Sequence, residues 1–508
     1  MPRPLPDEPV RTEAVPTPPG LTSVRFPSWT AGGERLIASA TSASFAGTQL
    51  VTFGEDGRDL RCLTCGVWTG PELIKPFAFM DGRRLLVRAG LQTPMQAAGH
   101  AVVECTPSVL RCNSVTVTPI TVPATTDPGV EQDQREMRVA PDGEHVAFTQ
   151  VRTTAGGRSE GMGVVGRLVR GESGYAIEDP RVVAVGGELK NFTPDGQGVL
   201  FARFNNAFEA VNPDDVVVDL GSGRESRATT SLDWEEDIDL APRLARGRHW
   251  HVVGSARGTR LLEAVSQVRR PAYIDAGVRA LPFVVFAARN AEIAEPWLAD
   301  QHDARGSYLG QPLAPGAVAR GWNSKPNFTW KPDGTAVVFW QQRGGRGVGD
   351  GASGGVTRAV VARLTARRAQ TPPPVRRSPV PSWAARLGGY VPRDPDGPRR
   401  TFTRRGRAGG KVTVVRAPSA VDGYQEFIEV RYRRFADRRG FVLDGVERAD
   451  YVPFGTYGGP AVYTADVVVS GRHSGYLRAR GVRIGPGLRG TIRSRVDGRR
   501  LKLGPLSR

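Results

Sequence analysis

The stretch Phe328-Thr329-Trp330-Lys331-Pro332-Asp333-Gly334-Thr335-Ala336-Val337-Val338-Phe339 carries the rule on which most of the chain is built. Proline pre-sets the first corner of a turn, aspartate bonds its own backbone two residues on, and glycine takes positive φ, so Pro332-Asp333-Gly334 ends one strand and begins another. The same tripeptide returns at Pro141-Asp142-Gly143 and Pro194-Asp195-Gly196. Each copy is followed by an apolar triplet ending in phenylalanine: Val146-Ala147-Phe148, Val199-Leu200-Phe201 and Val337-Val338-Phe339. Weaker copies stand at Gly33, at Asp81-Gly82 and at Gly247, followed by Leu36-Ile37-Ala38, Leu85-Leu86-Val87 and Trp250-His251-Val252.

The register extends upstream of the turn. Two residues before the turn proline or its equivalent stand Trp29, Ala78, Val139, Phe192, Leu240 and Trp330; two residues earlier come Pro27, Pro76, Met137, Lys190, Ile238 and Phe328. The interleaved positions are mostly polar, among them Ser28, Arg138, Asn191, Asp239 and Thr329. A period of two with one apolar phase is a strand with one packed face. The turn glycines lie 49, 61, 53, 51 and 87 residues apart, and a β-turn unit repeating at about 40–50 residues is the spacing of propeller blades. The last interval is too long for one blade. Strands are expected within it at 249–255, 260–269, 273–278, 282–287 and 296–299, so it holds either an insertion or a degenerate blade. The expected fold is all-β: a six-bladed β-propeller over residues 21–370, with seven blades as the alternative.

The strand, Pro-Asp-Gly turn and apolar strand, with tryptophan before the turn at Trp330, resemble the TolB-like, WD-type β-propeller repeat. The same repeat builds the propeller of prolyl-oligopeptidase-type peptidases. The resemblance covers the propeller portion alone and implies a fold more than a function, because propellers are scaffolds for many activities. In TolB the propeller is a periplasmic, non-catalytic protein-interaction module; the other domain of TolB has no counterpart here.

Outside the repeats the composition changes. Residues 1–20 are rich in proline and are expected to be disordered. Residues 371–400, with Thr371-Pro-Pro-Pro374 and many arginines, read as a stiff linker. Residues 401–508 alternate again, with Ile428, Val430 and Tyr432 out of phase with Glu429, Arg431 and Arg433, and strands expected at 411–415, 427–432, 462–469, 476–484 and 491–496. This predicts a small antiparallel β-sandwich with one packed face.

The net charge of +18 is unevenly placed. From residue 366 onward there are 30 Lys and Arg against 11 Asp and Glu, leaving 39 against 40 in residues 1–365. Arg431, Arg433, Arg478, Arg480, Arg493 and Arg495 occupy the solvent phase of the C-terminal strands and are candidate polyanion-binding residues. The bland alternative is a solvated face in an arginine-rich chain that has only six lysines. Nucleic acid is the weaker functional partner, since no stacking or groove-reading pattern accompanies the charge.

Cys62 with Cys65, and Cys105 with Cys112, form two local pairs for which disulfides are expected, the second closing a hairpin tip. Disulfides require an oxidising compartment, yet residues 1–20 show no signal peptide, which leaves a cytosolic chain as the alternative. The longest apolar run, Leu281–Ala288, is too short to span a bilayer.

Catalytic motifs are missing. The Gly-x-Ser-x-Gly of an α/β-hydrolase does not occur, and the 108 residues after the linker are too few and too strand-like for that domain. Gly161-x-Gly163-x-x-Gly166 matches a dinucleotide fingerprint only formally, since neither strand nor helix signals frame it. His249 and His251 share a strand face with no third metal ligand nearby. Neither a metal nor another cofactor is expected.

An acidic run from Asp233 to Asp239 enters the fifth repeat. Glu136, Arg138, Asp237, Asp239 and Asn327 fall in related register on innermost strands, and they are the candidate ligand-binding residues of a central channel. The alternative is that they bond backbone amides and arginines at strand entrances. Two functions follow. The first is a non-catalytic extracytoplasmic binding protein, expected to be a monomer, whose partner is a protein or a cell-envelope polymer. The second is a propeller hydrolase or lyase acting through the acidic cluster.

Overall fold

A computed structural model describes residues 2–90, 99–123, 125, 130–153, 159–203, 213–242, 250–271, 273–274, 295–344, 354–390, 401–418, 425–436, 440–451, 461–485 and 487–506. After strand β1 (Val10–Ala14), the chain runs through five four-stranded antiparallel meanders. The first is β2 (Leu21–Trp29), β3 (Leu36–Ser42), β4 (Phe45–Phe53) and β5 (Arg61–Cys62). The second is β6 (Leu73–Ala78), β7 (Arg84–Ala89), β8 (Gly99–Ser108) and β9 (Arg111–Thr121), and the third β10 (Val130–Val139), β11 (His145–Thr153), β12 (Ser159–Gly171) and β13 (Gly174–Val185). A short parallel pairing, Tyr175 with Ile120 and Ala176 with Thr121, joins these two along their outer edges. The fourth comprises β14 (Gly187–Phe192), β15 (Gly198–Arg203), β16 (Asp214–Asp219) and β17 (Glu225–Arg227). The fifth comprises β18 (Glu235–Leu240), β19 (Trp250–Ser255), β20 (Glu295–Asp300) and β21 (Gln311–Pro312), with helix α1 (Glu263–Ser266) between β19 and β20.

The last sheet takes β22 (Asn323–Trp330), β23 (Ala336–Arg343) and β24 (Val356–Leu364) from the end of the repeats and β1 from the start of the chain, in register from Val10↔Leu364 to Ala14↔Val360. Residues 1–20, expected to be disordered, therefore supply an edge strand. The proline-rich flanks suit an edge, where a missing N–H costs no ladder bond. Innermost strands β2, β6, β10, β14, β18 and β22 follow one another in contact, and β22 returns to β2, so the sheets close into a propeller ring. Where the turn glycines are described they join the first strand of a sheet to the second at φ 68–78°.

The 87-residue interval holds an insertion between β19 and β20 rather than a strand at 260–269: α1 and tight turns occupy that stretch. The strand expected at 282–287 lies outside the described residues, as does most of the one at 273–278. The glycines of Gly161-x-Gly163-x-x-Gly166 lie within β12, where added methyls would strike Gly187, Phe201 and Ile177. They allow close approach of neighbouring strands, not phosphate binding.

The segment 371–390 is no free tether. β25 (Ala385–Arg386) pairs with β13, Ser378 N–H donates to Asp142 at 2.8 Å, and Trp383 Nε1 donates to the carbonyl of Leu220 at 2.8 Å. It runs along the outside of the third and fourth meanders.

The C-terminal residues form one sheet of eight strands in chain order: β26 (Thr401–Arg405), β27 (Gly409–Pro418), β28 (Gln425–Ala436), β29 (Phe441–Tyr451), β30 (Ala461–Gly471), β31 (Gly475–Ile484), β32 (Leu488–Val496) and β33 (Arg499–Leu503). The expected sandwich is thus corrected: a sandwich needs two facing sheets, and the described strands make a single barrel-like one. Long twisted sheets coil on themselves, and the packed face here is filled by a piece of the propeller instead of a second sheet. Leu262, Val265, Val268 and Ile274, from the insertion, share a core with Val430, Leu443, Tyr463, Val467, Leu477 and Ile492. Among the described residues no helix is long and apolar enough to cross a membrane.

Candidate functional site

The innermost strands share a backbone irregularity. In β2, β6, β10, β18 and β22 the pairing slips at Phe26, Lys75, Glu136, Asp237 and Asn327, and these residues take φ of 51°, 53°, 54°, 61° and 75°. A non-glycine residue in this region costs on the order of 1–3 kcal/mol, and bulges are a means of re-aiming side chains. Repeated around the ring, the bulge turns one side chain per strand toward its neighbours across the axis.

The channel candidates fall into three groups. Glu136 accepts from Lys75 Nζ at 2.6 Å on one oxygen and from Arg138 at 2.9 Å on the other. Arg138 also donates to Asn327 Oδ1 at 3.1 Å, across the ring, and stacks 4.2 Å over Phe77. Glu136, Arg138 and Asn327 are therefore brought together. Asp237 stands apart from them, 3.5 Å from Lys190 Nζ, which also bonds Glu236 at 2.6 Å and Glu188 at 3.0 Å. Asp239 accepts from Asn191 Nδ2 at 2.9 Å and from the Trp330 N–H at 3.1 Å, tying the fourth, fifth and last sheets.

Burial would push Glu136 up, but Lys75 and Arg138 outweigh it and hold the carboxyl well below its usual range. Burial pulls Lys190 down, but the carboxylates of Asp237, Glu236 and Glu188 outweigh it and hold the ammonium well above its usual range. Asp239, with only dipolar donors nearby and Arg138 further off, is pushed up by burial to about 7.

Lys75 and Lys190 are the residues that sequence reasoning missed. Lys75 shares the bulge register of Glu136, so its position was a usable signal. Lys190 was not, because the slip in β14 falls between Leu189 and Asn191 and is shorter, turning inward a side chain that register counting assigns to the packed phase. Glu235 of the acidic run belongs elsewhere. It pairs with Arg257, whose guanidinium also meets Asp303 at 2.8 Å, while His251 Nε2 lies 3.2 Å from Asp303. His249 lies outside the described residues.

A second buried network links the insertion to the C-terminal sheet. Arg270, fully buried, pairs with Glu447 at 2.8 Å and donates to Tyr463 Oη at 3.2 Å and to the carbonyls of Val265 and Val268. Tyr432 Oη donates to the other Glu447 oxygen at 2.6 Å.

Both cysteine pairs are disulfides, Cys62–Cys65 and Cys105–Cys112, with Cα separations of 5.6 and 5.0 Å. Of the basic candidates, Arg431, Arg433, Arg478, Arg480 and Arg493 are exposed on the outer face of the C-terminal sheet and Arg495 is half-buried there. They do not form one cluster: Arg431 and Arg433 lie on β28, three strands from β31.

No protein-family model matches the chain, and no curated protein matches it. Among solved structures it is similar to TolB from Agrobacterium tumefaciens, at 15% identity over 56% of this chain and 74% of that one, with a TM-score of 0.30. It is similar to puromycin hydrolase at 14% identity over 78% of this chain and 51% of that one, TM-score 0.34, and so spans about half of that enzyme's length. An oligogalacturonate lyase from Vibrio parahaemolyticus matches at 10% identity over 70% and 96%, TM-score 0.36. Likenesses of this size assign no activity. The class defined by the ring itself is a β-propeller carrying a C-terminal β-barrel-like module.

Proposed function

We propose that this is a non-catalytic binding protein that works outside the cytoplasm, with a six-bladed propeller as the scaffold that presents its partner surface. The observation that carries this reading is that most of the channel carboxylates are paired with buried cations. Glu136 has a cation on each oxygen, and Glu188, Glu236 and Asp237 all surround Lys190. A general acid or base must exchange its proton with a substrate, and carboxylates committed to neighbouring cations are poor at it. Such a network rigidifies the ring around its axis. The two disulfides support an oxidising location, and six four-stranded sheets closing through β1 support the count of blades. A protein is the expected partner of the propeller.

A hydrolase or lyase reading is favoured by Asp239, whose carboxyl is pushed up to about 7 and so poised for proton transfer near neutrality, and by Glu236, which burial raises despite Lys190. The two readings separate in one experiment. Full-length protein is assayed for turnover of uronate oligosaccharides, peptides and esters alongside the Asp239→Asn variant, and is cross-linked in envelope extract with the linked residues mapped by mass spectrometry. Cross-links concentrated on one propeller face, with no turnover, are expected. Turnover that Asp239→Asn abolishes would replace the binding reading with the catalytic one.

A further inference from the structure

The outer face of β31, β32 and β33 carries its cations in direct register. Arg478 faces Arg493, which faces Lys502; Arg495 faces Arg500; Arg483 faces Arg489. Neighbouring strands lie about 4.8 Å apart and same-face residues along a strand about 7 Å apart, so these groups make a lattice of positive charge. Like charges directly opposite one another destabilise a sheet. Among the described residues, the only carboxylate hydrogen-bonded to any of them is that of Asp466, which accepts from Arg478 at 3.3 Å.

The other end of the sheet is different. Arg431 donates to Glu429 at 2.5 Å, and Arg448 pairs with Asp450 at 2.6 Å and Glu429 at 3.4 Å. Arg431 and Arg448 there are balanced by adjacent acids. Arg433 faces Lys411, which faces Arg405, so this end holds one row of three cations where β31–β33 hold three adjoining rows.

We propose that the outer face of β31–β33 binds a linear anionic polysaccharide bearing carboxylate groups. Guanidinium forks pair bidentately with carboxylates, and rows of them across three strands suit repeated anions along a chain better than a single small ion. The outer face of a coiled sheet is open and convex, which favours a polymer laid across it over a ligand held in a pocket. Single-stranded nucleic acid, the competing polyanion, is recognised through aromatic platforms on which bases stack. Tyr476 is the one aromatic side chain on this face, and it lies half-buried with Arg478 and Arg495 at 4.9 and 5.7 Å from its ring. The proposal is independent of what the channel does; only the choice of a polysaccharide over nucleic acid leans on the extracytoplasmic reading.

The test measures binding of the full-length protein to polygalacturonate and to single-stranded DNA at several salt concentrations. Two double variants remove the same number of charges: Arg493→Ala/Lys502→Ala from the lattice, and Arg431→Ala/Arg448→Ala from the balanced end. Circular dichroism checks that each is folded, and Arg493→Gln/Lys502→Gln serves if the alanine pair is not. The lattice variant is expected to lose about tenfold or more in polygalacturonate affinity with a shallower salt dependence, while the balanced-end variant stays within about twofold of the parent. Equal losses in both variants, no loss in either, or tighter binding of the DNA than of the polyuronate at matched charge would overturn the proposal. So would no measurable polygalacturonate binding at low salt, an outcome that would leave the channel reading untouched.

Discussion

Replacing Arg270 by methionine would strand a carboxylate inside the C-terminal module. Arg270 and Glu447 are both fully buried and paired at 2.8 Å, and the guanidinium also satisfies two carbonyls of its own segment. Removing one partner of a buried ion pair costs about 3–5 kcal/mol, most of it from the charge left behind. Tyr432 and Tyr463 would still donate to Glu447, at 2.6 and 3.1 Å, which places the expectation at the lower end, about 3 kcal/mol. Arg270→Met/Glu447→Met strands no charge and should recover at least half of that loss, since apolar replacements of buried pairs are often neutral. The sequence provides the assay. All nine tryptophans lie before residue 384, so their fluorescence follows the propeller alone, whereas far-ultraviolet circular dichroism follows both modules. In the parent protein the two signals should coincide through a urea titration, because the insertion anchors the modules to each other. In Arg270→Met the dichroism should begin to fall at lower urea than the fluorescence. Coincident curves with midpoints matching the parent would refute the idea that this pair couples the modules.

Lys190→Met should destabilise the ring by about 3–5 kcal/mol, more at pH 7 than at pH 4, because without Lys190 burial raises Glu188 and Glu236 and their protonation in acid relieves the loss of the shared cation; urea midpoints at the two pH values check it. Asp215 is fully buried, neither of its side-chain oxygens has a partner among the described residues, and burial pushes its carboxyl up to about 8, only partly opposed by Lys190. Because its folded value lies above the unfolded one near 3.8, its favourable contribution is complete at low pH and disappears as pH rises through about 8. The parent should therefore lose on the order of 2–5 kcal/mol between pH 5 and pH 9 relative to Asp215→Asn, and parallel stability curves for the two proteins would count against this. Cys105→Ala/Cys112→Ala opens a loop of a few residues and should cost about 2–3 kcal/mol by chain entropy, read as a lower urea midpoint under non-reducing conditions, where Cys62–Cys65 stays closed.

Much of the propeller is local chemistry and was legible in the sequence. Pro-Asp-Gly turns, two-residue alternation and apolar triplets each depend on neighbours a few residues apart, so Pro332-Asp333-Gly334 alone identifies a turn between β22 and β23. The same holds for the close cysteine pairs and for the arginines of the wet face, whose phase follows from alternation. Tertiary structure decided what depends on distant partners. β1 closes a ring because Val10 meets Leu364; the C-terminal strands curl into one sheet because the stretch 261–274 fills their inner face; Lys190 turns inward because its bulge is one residue shorter. Sequence position placed Arg138 and Asn327 in related register, but only the closure of the ring sets them 3.1 Å apart across 189 residues. Arg270 and Glu447 carry no signal at all in the sequence. A buried ion pair is written by two single residues from different modules, and its stability comes from the low-dielectric space that folding creates around both.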